Sequence, residues 1–245
     1  MPEITRVSHL NHSHVQLGFA NFMAQVYRYM SGGLVLSALA AWVCARGPVL
    51  QYLYKVDYQQ GVVAPTFLWW VIAFAPLIIL FPLNSAARSN NPVRAQVWFW
   101  IFSAVMGASL SNIFISFGMD IIMKALLITG VTFASCSLFG HNTKRDLSII
   151  GRFCITAVIG LIIAGLVNLF IQSSALAFAA DVICILAFAG LTAYDTQKLN
   201  KMYVALEGQG KDTLSSYSVM GAVELYLDFI NLFLAILRIL DSRRR

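Results

Sequence analysis

A chain of 245 residues with 59% hydrophobic and 11% charged residues, and a mean hydropathy of +0.73, is excluded from the ordinary soluble class. Soluble chains carry about a quarter charged residues, so a fold of this size has too little polar surface to cover its core, and lipid must do the covering. The net charge of +6 and pI near 9.3 do not mark nucleic-acid binding, because the 17 basic residues sit mostly between apolar stretches and line no single face.

The four cysteines (Cys44, Cys136, Cys154 and Cys184) fall inside or at the edge of apolar stretches with no CxxC or Cys/His pairing. They behave as small hydrophobes, neither a zinc site nor a disulfide framework. His9, His12 and His14 lie in a polar N-terminal segment and His141 in a loop, so no metal pattern arises and no cofactor is expected. The first 16 residues lack an apolar core, which speaks against a cleaved signal peptide.

A spanning helix needs about 20 largely apolar residues. In chain order, a polar N-terminal tail is expected over residues 1–28. Spans follow at about 29–47, 63–83, 95–117, 119–140, 149–172, 176–198 and 219–240. A basic tail closes the chain at 241–245. The fold class is therefore all-α, a polytopic seven-transmembrane-helix bundle occupying 29–240, with its longest connections at Gly47–Val62 and Leu199–Met220. Ser103, Gly107 and Ser111 recur at four-residue spacing, as do Gly160 and Ala164. Small residues so spaced let helix backbones approach closely in lipid. Pro76 and Pro82 should kink the second span.

The acids inside apolar helices carry the most information: Asp181 and Asp195 in the sixth span, Glu224 and Asp228 in the seventh. A charged side chain near the bilayer centre costs about 2.5–3.5 kcal/mol on insertion scales, so each must face protein, water or an ion. Glu224 and Asp228 are four apart and share one helical face. Asp195 lies near the end of its span, where Lys198 and Lys201 can reach the headgroups. Asp181 precedes Asp195 by 14 residues, about 21 Å of helix, and cannot share its site. No HExxH, no GxSxG in a suitable context and no intramembrane histidine constellation occurs, so an enzyme is not expected.

The segment Phe188-Ala-Gly-Leu-Thr-Ala-Tyr-Asp-Thr-Gln-Lys198, followed by Leu225-Tyr-Leu-Asp-Phe-Ile-Asn-Leu-Phe233, resembles the signature of the Bax-inhibitor family, also called the transmembrane Bax inhibitor motif family. Tyr27-Arg-Tyr-Met30, Met106-Gly-Ala-Ser-Leu-Ser-Asn-Ile-Phe114 and Thr143-Lys-Arg-Asp-Leu147 add to it, and the resemblance spans about residues 20–240. It implies seven helices with the last one central, surrounded by the other six, and a bacterial-type member in the inner (cytoplasmic) membrane. It implies a pH-sensitive calcium leak channel whose paired aspartates correspond to Asp195 and Asp228. Glu224 is a candidate accessory group, and Arg88 the nearest candidate for the family's arginine partner. The alternative the family offers is a non-conducting substrate or modulator of a membrane-anchored AAA quality-control protease, with residues 1–28 as an accessible handle. The implied partners are the lipid bilayer, calcium ion and that protease.

Two carboxylates held together at low dielectric cannot both ionise cheaply, so they share a proton. A hard cation prefers oxygen ligands, usually six to eight of them, so two carboxylates would hold Ca²⁺ only weakly. Ten of the 17 basic residues fall inside and seven outside if the N-terminus is cytoplasmic. Setting aside Arg238 and Arg243–Arg245 leaves ten against three, which favours a cytoplasmic N-terminus and an extracytoplasmic C-terminus. Reporter fusions at Arg245 should therefore be active only as extracytoplasmic reporters; a cytoplasmic readout would mean that one of the seven spans is wrong.

Overall fold

The computed structural model describes residues 2–57, 62–89, 91–206 and 208–242. The elements are α1 (Pro2–Cys44), α2 (Gly47–Leu53), β1 (Tyr54–Asp57), β2 (Val62–Pro65), α3 (Phe67–Arg88), α4 (Pro92–Ser109), α5 (Asn112–Ser116), α6 (Met119–Asn142), α7 (Ser148–Ile171), α8 (Ser174–Leu206) and α9 (Lys211–Ser242). The fold is all-α apart from one antiparallel hairpin, with Tyr54 opposite Pro65. Among the described residues, seven helices have 18 residues or more. Five stretches are long and apolar enough to cross a membrane: α3, Pro92–Ser116, α6, α7 and α8. The expected count of seven spans needs α1 and α9 as well, which stand outside that set.

Exposed apolar side chains explain why lipid is required. Phe67 of α3 is 83% exposed and Phe170 of α7 is 89% exposed, along with Phe81, Phe153 and Leu169. Patches of this extent are not left to water in a soluble monomer. Helices suit the lipid phase because each satisfies its own backbone hydrogen bonds.

Helix ends differ from the hydropathy boundaries for a common reason: leaving the bilayer does not end a helix. The segment expected as a polar tail over residues 1–28 is helical from Pro2 onward. Between Glu3 and Arg28 Gly18 is the only helix breaker, and Phe19, Phe22, Met23, Val26 and Met30 recur at i, i+3, i+4, i+7 and i+11 and are buried. Phe19 and Phe22 each pack on Tyr203, with ring centroids 5.6 Å apart. The expected connection Leu199–Met220 is likewise mostly helix, because α8 runs on to Leu206 and α9 starts at Lys211; only a turn with Gly208 at φ 89° separates them. Asp195 therefore sits eleven residues before the end of α8, not at its last turn. Of the basic tail expected at 241–245, Asp241 and Ser242 belong to α9, and Arg243–Arg245 lie outside the described residues.

The chain divides into two compact units. The first comprises Met1–Ser111 with Leu199–Val223. In it Phe99, Phe102, Leu83 and Val26 are fully enclosed. Here the small-residue stripe of α4 does what its spacing suggests. Ser37 Oγ of α1 lies 2.8 and 2.7 Å from the Gly33 and Ser103 carbonyls, which share its single hydroxyl proton. A Cβ on Gly107 would run into the Ser37 backbone. Ser111 meets the Tyr54 hydroxyl at 3.0 Å. Helix α3 passes through Pro76 and Pro82 without a break in its assignment, capped by Thr66, which accepts from the Trp69 N–H at 3.4 Å.

The second unit comprises Asn112–Lys198 with Glu224–Arg245. Its helices approach at Gly140, where a Cβ would meet the Ala193 backbone, and at Gly190, where it would meet Cys154 Sγ. The Gly160 and Ala164 pair of α7 is different, since nothing lies within 4 Å of a Cβ at Gly160. Gly107→Ala should therefore lower stability by about 1–3 kcal/mol through overpacking against backbone, while Gly160→Ala should be neutral or slightly stabilising by helix propensity. Thermal unfolding in detergent separates the two; equal effects would contradict the packing described.

Candidate functional site

Five consecutive residues of α8, Tyr194 to Lys198, each make a different contact in the second unit. A Cβ on Gly151 of α7 would strike the Tyr194 ring, so the bare glycine lets α7 lie against it. The carboxyls of Asp195 and of Asp228 on α9 lie close enough to interact with each other. Thr196 Oγ1 donates to the Thr192 carbonyl at 2.8 Å and stands 3.0 Å from Ser137 Oγ of α6. Gln197 clamps the α6–α7 connection: its Oε1 accepts from the Leu147 N–H at 2.9 Å and its Nε2 donates to the Arg145 carbonyl at 2.7 Å. Lys198 Nζ pairs with Glu224 Oε1 at 2.6 Å.

The centre of this arrangement is a pair of neighbouring carboxyls. An ionised carboxylate only accepts hydrogen bonds, so a hydrogen bond between Asp195 and Asp228 would need a proton on one of them. Asp228 is 4% exposed, and its Oδ2 is buried with no hydrogen-bond partner. Glu224 lies one turn before Asp228, and Lys198 lies one turn after Asp195. Three carboxyls and one ammonium are gathered here; two carboxyls this close can share a proton and, once both are ionised, attract a cation. Among the described residues no group of three or more His, Cys, Asp or Glu is arranged to hold a metal ion, so Glu224 does not complete a cage with the two aspartates.

The other sequence candidates are placed as follows. Glu224 joins the cluster through Lys198, a pairing that spans 26 positions and that hydropathy could not show. Lys198 looked like a residue reaching for headgroups; the longer α8 instead turns it toward Glu224. Arg88 is exposed at the C-terminal end of α3, in the first unit, and makes no ion pair among the described residues. The cation placed beside the acids is Lys198. Asp181 keeps apart from Asp195, as its spacing implies, and pairs with Arg238, whose Nε and Nη2 both reach Oδ1 at 2.7 Å. Gln197 and Thr196 were within the quoted motif but carried no charge to single them out.

The family described as "Inhibitor of apoptosis-promoting Bax1" matches residues 19–245. The chain belongs to this family. The inner membrane protein YbhL of Escherichia coli (strain K12) is 38% identical over 227 residues, 93% of this chain and 94% of that protein. A protein of Caulobacter vibrioides is 35% identical over 230 residues, covering 94% of this chain and 92% of its own. A membrane protein of Streptococcus pyogenes serotype M1 is 33% identical over 231 residues, with 94% and 96% covered. The family match thus takes in α1 from Phe19 onward, including the buried stripe Phe19, Phe22, Met23, Val26 and Met30.

Gln197→Ala removes both hydrogen bonds that hold the α6–α7 connection, at a cost of about 1–3 kcal/mol for the buried groups left unpaired. Hydrogen exchange at Thr143–Leu147 should quicken, most of all at the Leu147 amide. Unchanged exchange there would show that the clamp does not order the loop.

Proposed function

We propose that this chain is a pH-gated cation leak channel of a bacterial inner membrane, passing calcium, with Asp195 and Asp228 as its gate. The observation that supports this most is the close approach of the two carboxyls, one on α8 and one on α9, with Asp228 almost fully buried; a single shared proton would tie the two helices together. While the proton is shared, the two helices are held together. When it leaves, two like charges at about 4 Å repel by about 4 kcal/mol at an effective dielectric of 20, enough to shift a helix–helix equilibrium. The ionised pair then offers oxygen ligands to a hard cation. Two carboxylates bind such an ion weakly, and weak binding is what permeation requires. Lys198, anchored on Glu224, limits the negative charge of the cluster. The Escherichia coli relative is named an inner membrane protein, and five helices of this chain are long and apolar enough to cross such a membrane.

The alternative, a client or modulator of a membrane-anchored AAA protease, drew on an unstructured handle over residues 1–28. Helix α1 runs through that segment and buries Phe19, Phe22, Met23 and Val26, so no structural observation favours it.

Calcium flux into liposomes, measured between mildly acidic and mildly alkaline pH, tests the proposal. Flux should vary with pH in the native protein, and Asp195→Asn or Asp228→Asn should each flatten that dependence. Asp181→Asn should retain it, since Asp181 is about 21 Å along α8 from Asp195. A pH response that survives in both Asp195→Asn and Asp228→Asn would sink the gating role.

A further inference from the structure

The opposite end of the α8–α9 pair carries a second feature, independent of the carboxylate centre. A cavity of about 280 Å³ opens between α7, α8 and the end of α9, with Leu161, Gly165, Asn168, Ala177, Asp181 and Arg238 in its lining. Its walls are apolar and its polar groups are three: Asn168, Asp181 and Arg238. Asn168 marks the level of the rim, because its Oδ1 accepts from the Ser173 N–H at 2.9 Å in the short turn joining α7 to α8. Leu161 lies seven residues earlier, about 10 Å deeper along α7. The groove thus runs from the helix ends toward the apolar interior of the membrane.

The ion pair at its mouth is lopsided. Asp181 is 12% exposed in its side chain and Arg238 is 49% exposed. Asp181 Oδ1 takes Nε–H and Nη2–H, two of the five guanidinium donors, and holds the fork from the protein side. The remaining donors suit a phosphate oxygen, which Arg binds with well-matched geometry.

We propose that this groove seats one anionic glycerophospholipid, its phosphate on Arg238 and one acyl chain along the α7–α8 wall. Asp181 acts as a positioning residue for the guanidinium. Nothing lies within 4 Å of a Cβ built at Gly165, so the groove can be filled there by substitution without a clash.

The test is native mass spectrometry of the full chain in detergent, with phosphatidylglycerol, phosphatidylcholine or inorganic phosphate added, alongside thermal unfolding with the same additives. The native protein should retain one phosphatidylglycerol and be stabilised by it more than by phosphatidylcholine, with inorganic phosphate giving neither effect. Arg238→Gln should weaken phosphatidylglycerol retention by at least about tenfold, the loss expected of a charge-assisted hydrogen bond. Because Arg238→Gln also leaves Asp181 without its partner and can lower stability by itself, Gly165→Leu provides the independent arm. It should unfold normally without added lipid, keep the ion pair and lose the bound lipid. Retention of phosphatidylglycerol in both variants equal to that of the native protein, equal retention of phosphatidylcholine by the native protein, or equal stabilisation by inorganic phosphate would overturn the proposal.

Discussion

A carboxyl buried in a lipid-facing bundle has few ways to exist, and the pairing of the Asp195 and Asp228 carboxyls is the constraint around which the second unit is arranged. Each acid would cost about 2.5–3.5 kcal/mol as an isolated charge at the bilayer centre. If one proton joins them, as proposed, the two carry one charge between them, and that charge has Lys198 as a neighbour. The surrounding contacts hold the geometry. Tyr194 lies against Gly151, Thr196 against Ser137, and Gln197 spans the backbone of the α6–α7 connection. A buried polar network is stable only when its members are satisfied. The one that is not, Asp228 Oδ2, is the atom at which the proposed gate would meet a cation.

The two ends of α8 and α9 solve the same electrostatic problem differently. At Asp181 the compensation comes from a permanent cation, since Arg238 does not lose its proton in proteins. At Asp195 and Asp228 the proposed compensation is a proton, which can leave. The first arrangement is fixed and the second, on that proposal, is titratable. That contrast is why the proposed pH response belongs to one end of the helix pair and not to the other.

Much of this was legible in the residues. Hydropathy located every long apolar helix to within a few positions at the ends that lipid defines, as in α6 and α7. The spacing of Glu224 and Asp228 placed them on one face, and 14 residues separated Asp181 from Asp195. What hydropathy could not locate were ends set by protein packing. The stripe of Phe19, Phe22, Met23, Val26 and Met30 was present at helical spacing, but polar neighbours diluted it below any apolar threshold. Lys198 looked like a boundary because lysine ends an apolar run, yet the helix continued with Leu199 and Tyr203 buried. Long-range pairings were out of reach in one sequence: Lys198 with Glu224, Asp181 with Arg238, and Gln197 with a loop 50 residues away. Gly107 and Gly160 illustrate the same limit, because the same small-residue spacing meets backbone in one case and open space in the other.

The most direct test of the shared proton is infrared spectroscopy of the carboxyl C=O stretch, titrated in lipid nanodiscs. The account expects one buried protonated carboxyl in the native protein, perturbed or lost when either Asp195 or Asp228 is replaced by Asn, and untouched by Asp181→Asn. Two independently titrating bands, or a band that survives both single replacements unchanged, would contradict it.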